Sequence, residues 1–126
     1  MQRFIFLPCV FFVLLFCGCE NSPATAIVGG TVSFEGKPLA DAFVTFQPVD
    51  GSRLSGGMTD ASGKYALRFT PTKKGAVPGE HKVLIQTAPW ESHSVKELLP
   101  AKYNSATELK ATLKKGRQTV DFDLEP

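Results

Sequence analysis

Residues 64–70, KYALRFT, alternate along the chain: Tyr65, Leu67 and Phe69 on one parity, Lys64, Ala66, Arg68 and Thr70 on the other. An extended backbone turns successive side chains to opposite faces, so this spacing makes one dry face only as a β-strand. The pattern recurs. In residues 27–34, IVGGTVSF, Val28, Gly30, Val32 and Phe34 share a face. Residues 42–48, AFVTFQP, are apolar on both faces, with Phe43 opposing Val44 and Phe46, which predicts a central strand. A short third strand is expected to end near Thr59, and HKVLIQT, residues 81–87, to form the fifth. Two last runs, TELKATL and QTVDFDL, are predicted to pair as a hairpin around KKGR, with Leu109, Ala111 and Leu113 facing Val120, Phe122 and Leu124. Turn residues divide the runs: Gly36 and Pro38 in EGKPL, then Asp60 and Gly63 in DASG. SVKELLPAKY alone carries a helical spacing, and Pro100 limits it to a turn or two. Seven short strands without a long helix predict an all-β sandwich with one core, fed by Phe34, Phe43, Phe46, Tyr65, Phe69 and Phe122.

The N-terminus predicts an address. Arg3 is the only charge before Glu20, and FIFLPCVFFVLLFCG between them is almost wholly apolar. A basic start, an apolar stretch and a small residue before a cut site form a secretory signal. The stretch is shorter than a spanning helix prefers, and Pro8 interrupts it. Ordinary signal peptidase wants small residues at −3 and −1; cutting after Gly18 leaves Phe16 at −3. LFCGC instead resembles a bacterial lipoprotein box, departing from it at Phe16, where Leu is usual. The resemblance implies that the Cys19 thiol takes a diacylglyceryl group and, with acyl chains of the palmitate type, anchors the protein in a lipid bilayer. Only a thiolate is nucleophilic enough for that alkylation at neutral pH. A plain secretory signal is the alternative. The other uses of cysteine fit less well: a metal site needs about four ligands and no further Cys follows Cys19, and a Cys17–Cys19 disulfide would close a strained ring.

The expected organisation is a lipoprotein signal peptide over 1–18, a lipidated N-terminus and linker over 19–26, and a single domain over 27–126. The linker, ENSPATA, is small and polar and spans roughly 15 Å on average, keeping the domain near the membrane. Such a protein sits in the bacterial cell envelope, outside the cytoplasm. Glu20 holds the position that in some bacteria influences which membrane receives a lipoprotein. The formal net charge of +2 gives no nucleic-acid surface.

GTVSFEGKPLADAFVTFQP, GGMTDASGKYAL and GAVPGEHKVLI together resemble the carboxypeptidase-regulatory-like, or transthyretin-like, sandwich family, from about Gly30 to Leu124. The layout of lipobox, short linker, this domain, LPAKYN and a final DFDL resembles small lipoproteins of planctomycete-type bacteria. The resemblance implies a seven-stranded Greek-key sandwich of the prealbumin type and little about activity. A transthyretin-like hydrolase of purine-derived rings ends in Tyr-Arg-Gly-Ser, whereas this chain ends DFDLEP.

Catalytic and metal chemistry find no pattern. Lys64 follows the DASG turn where a calcium loop needs further oxygen ligands. His81 and His93 belong to no zinc motif, and Ser55 and Ser62 to no nucleophile elbow. No cofactor and no enzyme activity are expected. Lys114, Lys115 and Arg117 read as a solvated turn, three cations being fewer than the four to eight that mark lipid sites. The informative segment is residues 88–106, longer than most connections. It holds Trp90, His93, Lys102, Tyr103 and Asn104, the candidate binding residues. One reading makes it a packing element that Leu98, Leu99 and Tyr103 pin to the sandwich edge. The other makes it a binding surface. The function expected is a non-catalytic anchored module that is structural or binds envelope protein or polymer. The alternative is a carbohydrate-binding module using this loop.

Overall fold

The computed structural model describes residues 22–89 and 94–126. These form an all-β structure of two sheets, with one helical turn at Ala101–Tyr103. Strand β1 (Ala26–Phe34) organises the first sheet. Along one edge it pairs antiparallel with β2 (Lys37–Pro38) and β5 (Lys64–Ala66), and along the other in parallel with β10 (Gly116–Thr119) and β11 (Phe122–Leu124). The second sheet runs β7 (Lys73–Lys74), β6 (Arg68–Thr70), β4 (Ser55–Met58), β3 (Phe43–Pro48), β8 (Gly79–Gln86), β9 (Lys110–Leu113), antiparallel throughout. β3 is central, between β4 and β8, as its two apolar faces require.

The alternating run 64–70 serves both sheets. β5 pairs with β1 and β6 with β4, and the chain crosses between them at Leu67. The crossing leaves no backbone group stranded: Leu67 N–H donates to Val28 O at 2.9 Å, and Leu67 O accepts from Gly75 N–H at 2.9 Å. Tyr65 and Leu67 enter the core, and Phe69 stays half-buried at the edge. Between the sheets Phe46 packs against Tyr65, Phe122 and His81, with ring centroids 6.4, 6.0 and 5.7 Å away. Val28, Val32, Val44, Val83, Ile85 and Leu124 close around them.

The predicted last hairpin does not form. β9 pairs with β8, while β10 and β11 cross over and pair with β1. The open edge of β1 takes the C-terminal run because its N–H and C=O groups need partners there. Leu113, Phe122 and Leu124 are buried as expected, but they meet across the core and not across a hairpin. Leu109, Ala111 and Val120 are half-buried beside them.

Both predicted turns are present. Glu35 (φ 52°) and Gly36 (φ 77°) make the two-residue link from β1 to β2. In DASG, Asp60 Oδ1 accepts from Ser62 N–H at 2.9 Å and Lys64 N–H at 3.0 Å. Gly63 has φ 76°, and a Cβ there would stand 2.5 Å from Val32 O. Gly63→Val is therefore expected to cost at least about 2 kcal/mol, and Ser62→Val at an exposed site no more than about 0.5 kcal/mol. Denaturant unfolding reads the difference; coincident midpoints would remove the turn assignment.

Candidate functional site

The segment after β8 is fixed by one carboxylate. Glu97 accepts from Thr87 N–H at 2.8 and 3.0 Å, Thr87 Oγ1–H at 2.7 Å, Ala88 N–H at 3.0 Å and Leu99 N–H at 3.1 Å. The loop thus returns to the strand end from which it leaves. Burial pushes the Glu97 carboxyl up; the hydrogen bonds from Ala88, Thr87 and Leu99 oppose it and together hold the group below its ordinary value. Sequence reasoning missed Glu97, because a single acid in a polar loop carries no spacing signal.

Of the five candidate binding residues, the structure describes Lys102, Tyr103 and Asn104. Trp90 and His93 lie outside the described residues. Tyr103 is buried in the helical turn after Pro100, and its hydroxyl accepts from Glu125 N–H at 2.8 Å. Asn104 Nδ2 donates to Ile85 O at 3.2 Å and Pro100 O at 3.3 Å, and its Oδ1 accepts from Ser105 N–H at 2.8 Å. These two side chains tie the loop to β8 and to the end of β11. Lys102 is exposed, 5.2 Å over the Tyr103 ring, with Nζ 3.3 Å from Pro126 O. Leu99 is buried but Leu98 is 67% exposed, so Leu99 and Tyr103 hold the loop without Leu98. The reason is direction: Leu98 N–H donates to Thr87 Oγ1, and only the next side chain reaches the core.

His81 sits fully buried in β8, Nε2 2.6 Å from Val77 O, and a carbonyl partner assigns the ring proton to Nε2. His81 Nδ1 and Ser55 Oγ are buried without a hydrogen-bond partner among the described residues. No group of three or more His, Cys, Asp or Glu among the described residues is placed to hold a metal ion. On the β6 side a shallow cleft of about 350 Å³ is lined by Arg53, Arg68, Leu54 and Phe69. Arg53 Nε donates to Phe69 O at 2.9 Å and the guanidinium lies 5.5 Å over the Phe69 ring. No family model, curated protein or solved structure matches the chain.

Two outcomes are expected of this loop. Tyr103→Ala should destabilise by about 3–5 kcal/mol, and Tyr103→Phe, which loses only the bond to Glu125, by about 1 kcal/mol; a Tyr103→Phe protein as stable as the parent in chemical unfolding would deny the hydroxyl its role. Glu97 has a lowered folded pKa, so its contribution is present above the ordinary carboxylate value of about 4.3 and is lost as pH falls through the lower folded value. Limited proteolysis within residues 88–98 should accelerate below about pH 4. Glu97→Gln should be cleaved fast at neutral pH with that pH dependence flattened, and a variant as resistant as the parent would refute the pin.

Proposed function

We propose that the chain is a lipoprotein of the bacterial cell envelope, anchored through lipidated Cys19 after removal of residues 1–18, which carries a non-catalytic module that is structural or binds an envelope protein or polymer. Cys19 and the apolar stretch before it lie outside the described residues, so the reading of the anchor rests on their sequence. We further propose that the two sheets form the seven-stranded Greek-key sandwich of carboxypeptidase-regulatory-like domains. In its support, β3, β4 and β6 follow one another as antiparallel neighbours, and β8 returns to lie beside β3.

The observation that carries the reading is polarity along β1. The chain enters at Ala26, while Phe34 at the other end pairs with Leu124, next to the Glu125–Tyr103 bond of the long loop. An anchor on residue 19 would hold the first end to the membrane and turn the loop outward, where a partner can reach it. The non-catalytic reading draws on His81, whose Nε2 is engaged by the backbone carbonyl of Val77 and whose Nδ1 meets no serine among the described residues. A carbohydrate-binding role would fall to the aromatic Trp90.

Cys19→Ser should remain as an uncleaved precursor without acyl groups, read by intact mass and membrane fractionation, because a hydroxyl is a poor nucleophile in place of the thiolate. A mature N-terminus at residue 19 with unchanged membrane retention would refute the anchor. Affinity capture from the cell envelope, lipidated protein against the Cys19→Ser control, then identifies what the outward loop meets.

A further inference from the structure

Lys114, Lys115 and Arg117 are three cations in sequence, and the fold adds to them. Gly116 N–H donates to Thr25 O at 3.0 Å, and Arg117 pairs with Ile27 in β1. On the other side of the same segment Ala26 and Ala76 exchange hydrogen bonds of 3.0 and 2.8 Å. Gly75 is pressed so close that a Cβ would meet Ala24 O at 2.8 Å and Ala26 O at 2.9 Å. Lys74 immediately precedes it. Exposed Lys74, Lys114, Lys115 and Arg117 therefore flank, from two sides, the point where the chain enters the domain. None of the four forms an ion pair with a described carboxylate. Glu80, opposite Thr112 in β8, brings one negative charge to the same end. Ile27, 38% exposed, lines a shallow hollow of about 310 Å³ with Arg117 and Thr119.

We propose that this end of the domain rests on an anionic phospholipid surface, its four cations meeting headgroup phosphates and Ile27 facing the same plane. The inference rests on the lipid anchor at Cys19. Four residues separate Cys19 from buried Ala24, and the five Cα-to-Cα steps span at most about 18 Å when fully extended and about 12 Å on average as flexible chain. The attraction of an anionic leaflet falls off over a Debye length of about 8–10 Å. The tether thus delivers the collar to the depth at which the surface acts on it, and four cations reach the number that marks a lipid-facing cluster.

The test uses the full lipoprotein reconstituted in vesicles of phosphatidylcholine, with or without phosphatidylglycerol, and trypsin outside. Cleavage after Lys114, Lys115 and Arg117 should slow at least tenfold on the anionic vesicles and recover in high salt. Cleavage after exposed Lys96, in the long loop at the other end of the domain, should proceed equally on both and serves as the internal control. Lys74→Glu, which leaves the three cleavage sites in place, should remove about a fivefold share of the protection. Equal cleavage on the two vesicle types, or protection that high salt leaves unchanged, overturns the proposal. The mass of the N-terminal peptide from the same sample separates the two readings. An acylated Cys19 with no protection sinks the collar and leaves the anchor standing, whereas an unacylated chain removes both.

Discussion

The nine residues of β1 pair with four separate strands, two on each edge, and Ala26 at its start exchanges two further backbone hydrogen bonds with Ala76. Where β10 gives way to β11 the register is kept, yet Val120 turns its carbonyl across the strand. A Cβ on Gly30 would lie 1.9 Å from Val120 O, so a side chain at that position is sterically excluded. The carbonyl enters the space a side chain would fill, and the Tyr65 hydroxyl donates to it from β5, where Tyr65 pairs with Gly30. Asp121, the next residue, returns its carboxylate to the vacated N–H of Thr31 at 2.8 Å. One missing side chain thus accounts for the break in the parallel run, the burial of a phenol and the placing of an acid. Burial, aided by the Asp121 charge, pushes the Tyr65 hydroxyl well above the usual range, so it stays a donor throughout ordinary pH.

The same economy of side chains governs the second sheet. Gly57 in β4 faces the backbone of Ala66, where a Cβ would come within 2.4 Å of a carbonyl oxygen. That approach lets the run 64–70 pass from one sheet to the other over a single residue. Leu67 can then spend both backbone groups on different sheets while its side chain is buried between them. Sheets joined so tightly at one corner must diverge elsewhere, and the aromatic group around Phe46 fills that wider part of the core.

Alternation was enough to read most of the strands, because a period of two has only one structural solution. It could not tell a strand that stays in one sheet from one that changes sheets, since both bury every second residue. The C-terminal runs show the same ambiguity. Gly116 at φ 104° suits a tight hairpin or a crossover equally, and the choice was made by the unpaired edge of β1, which leaves no mark on side-chain spacing. In the long loop, Tyr103 was legible as a packing residue because its size and aromatic character want burial. Asn104 and Glu97 were not, because their partners are main-chain groups of β8 and the segment just after it, supplied only by the fold. Leu98 and Leu99 are chemically alike, and only the direction of the backbone between Thr87 and Pro100 decides which is buried. Two of the five candidate binding residues, Trp90 and His93, lie outside the described residues.

The two ends of the domain answer to different fields. At about 3.3 Å per residue β1 spans about 30 Å, roughly three Debye lengths at physiological salt. On the proposed orientation the cation collar at Ala26 lies within the surface potential of an anionic leaflet, and the Glu97 cluster beyond Phe34 lies outside it. An anionic surface also concentrates protons, and a carboxylate pin placed at the tether end would loosen at a bulk pH well above its own pKa. Set at the far end, Glu97 responds to bulk pH alone, and its hydrogen bonds keep it ionised through the mildly acidic range. Salt acts in the opposite sense on the two: it releases the collar, whose charges are exposed, and leaves the Glu97 bonds, which are short and directed at main-chain N–H groups. Docking of the loop and docking of the domain are thereby separable, one by acid and the other by ionic strength.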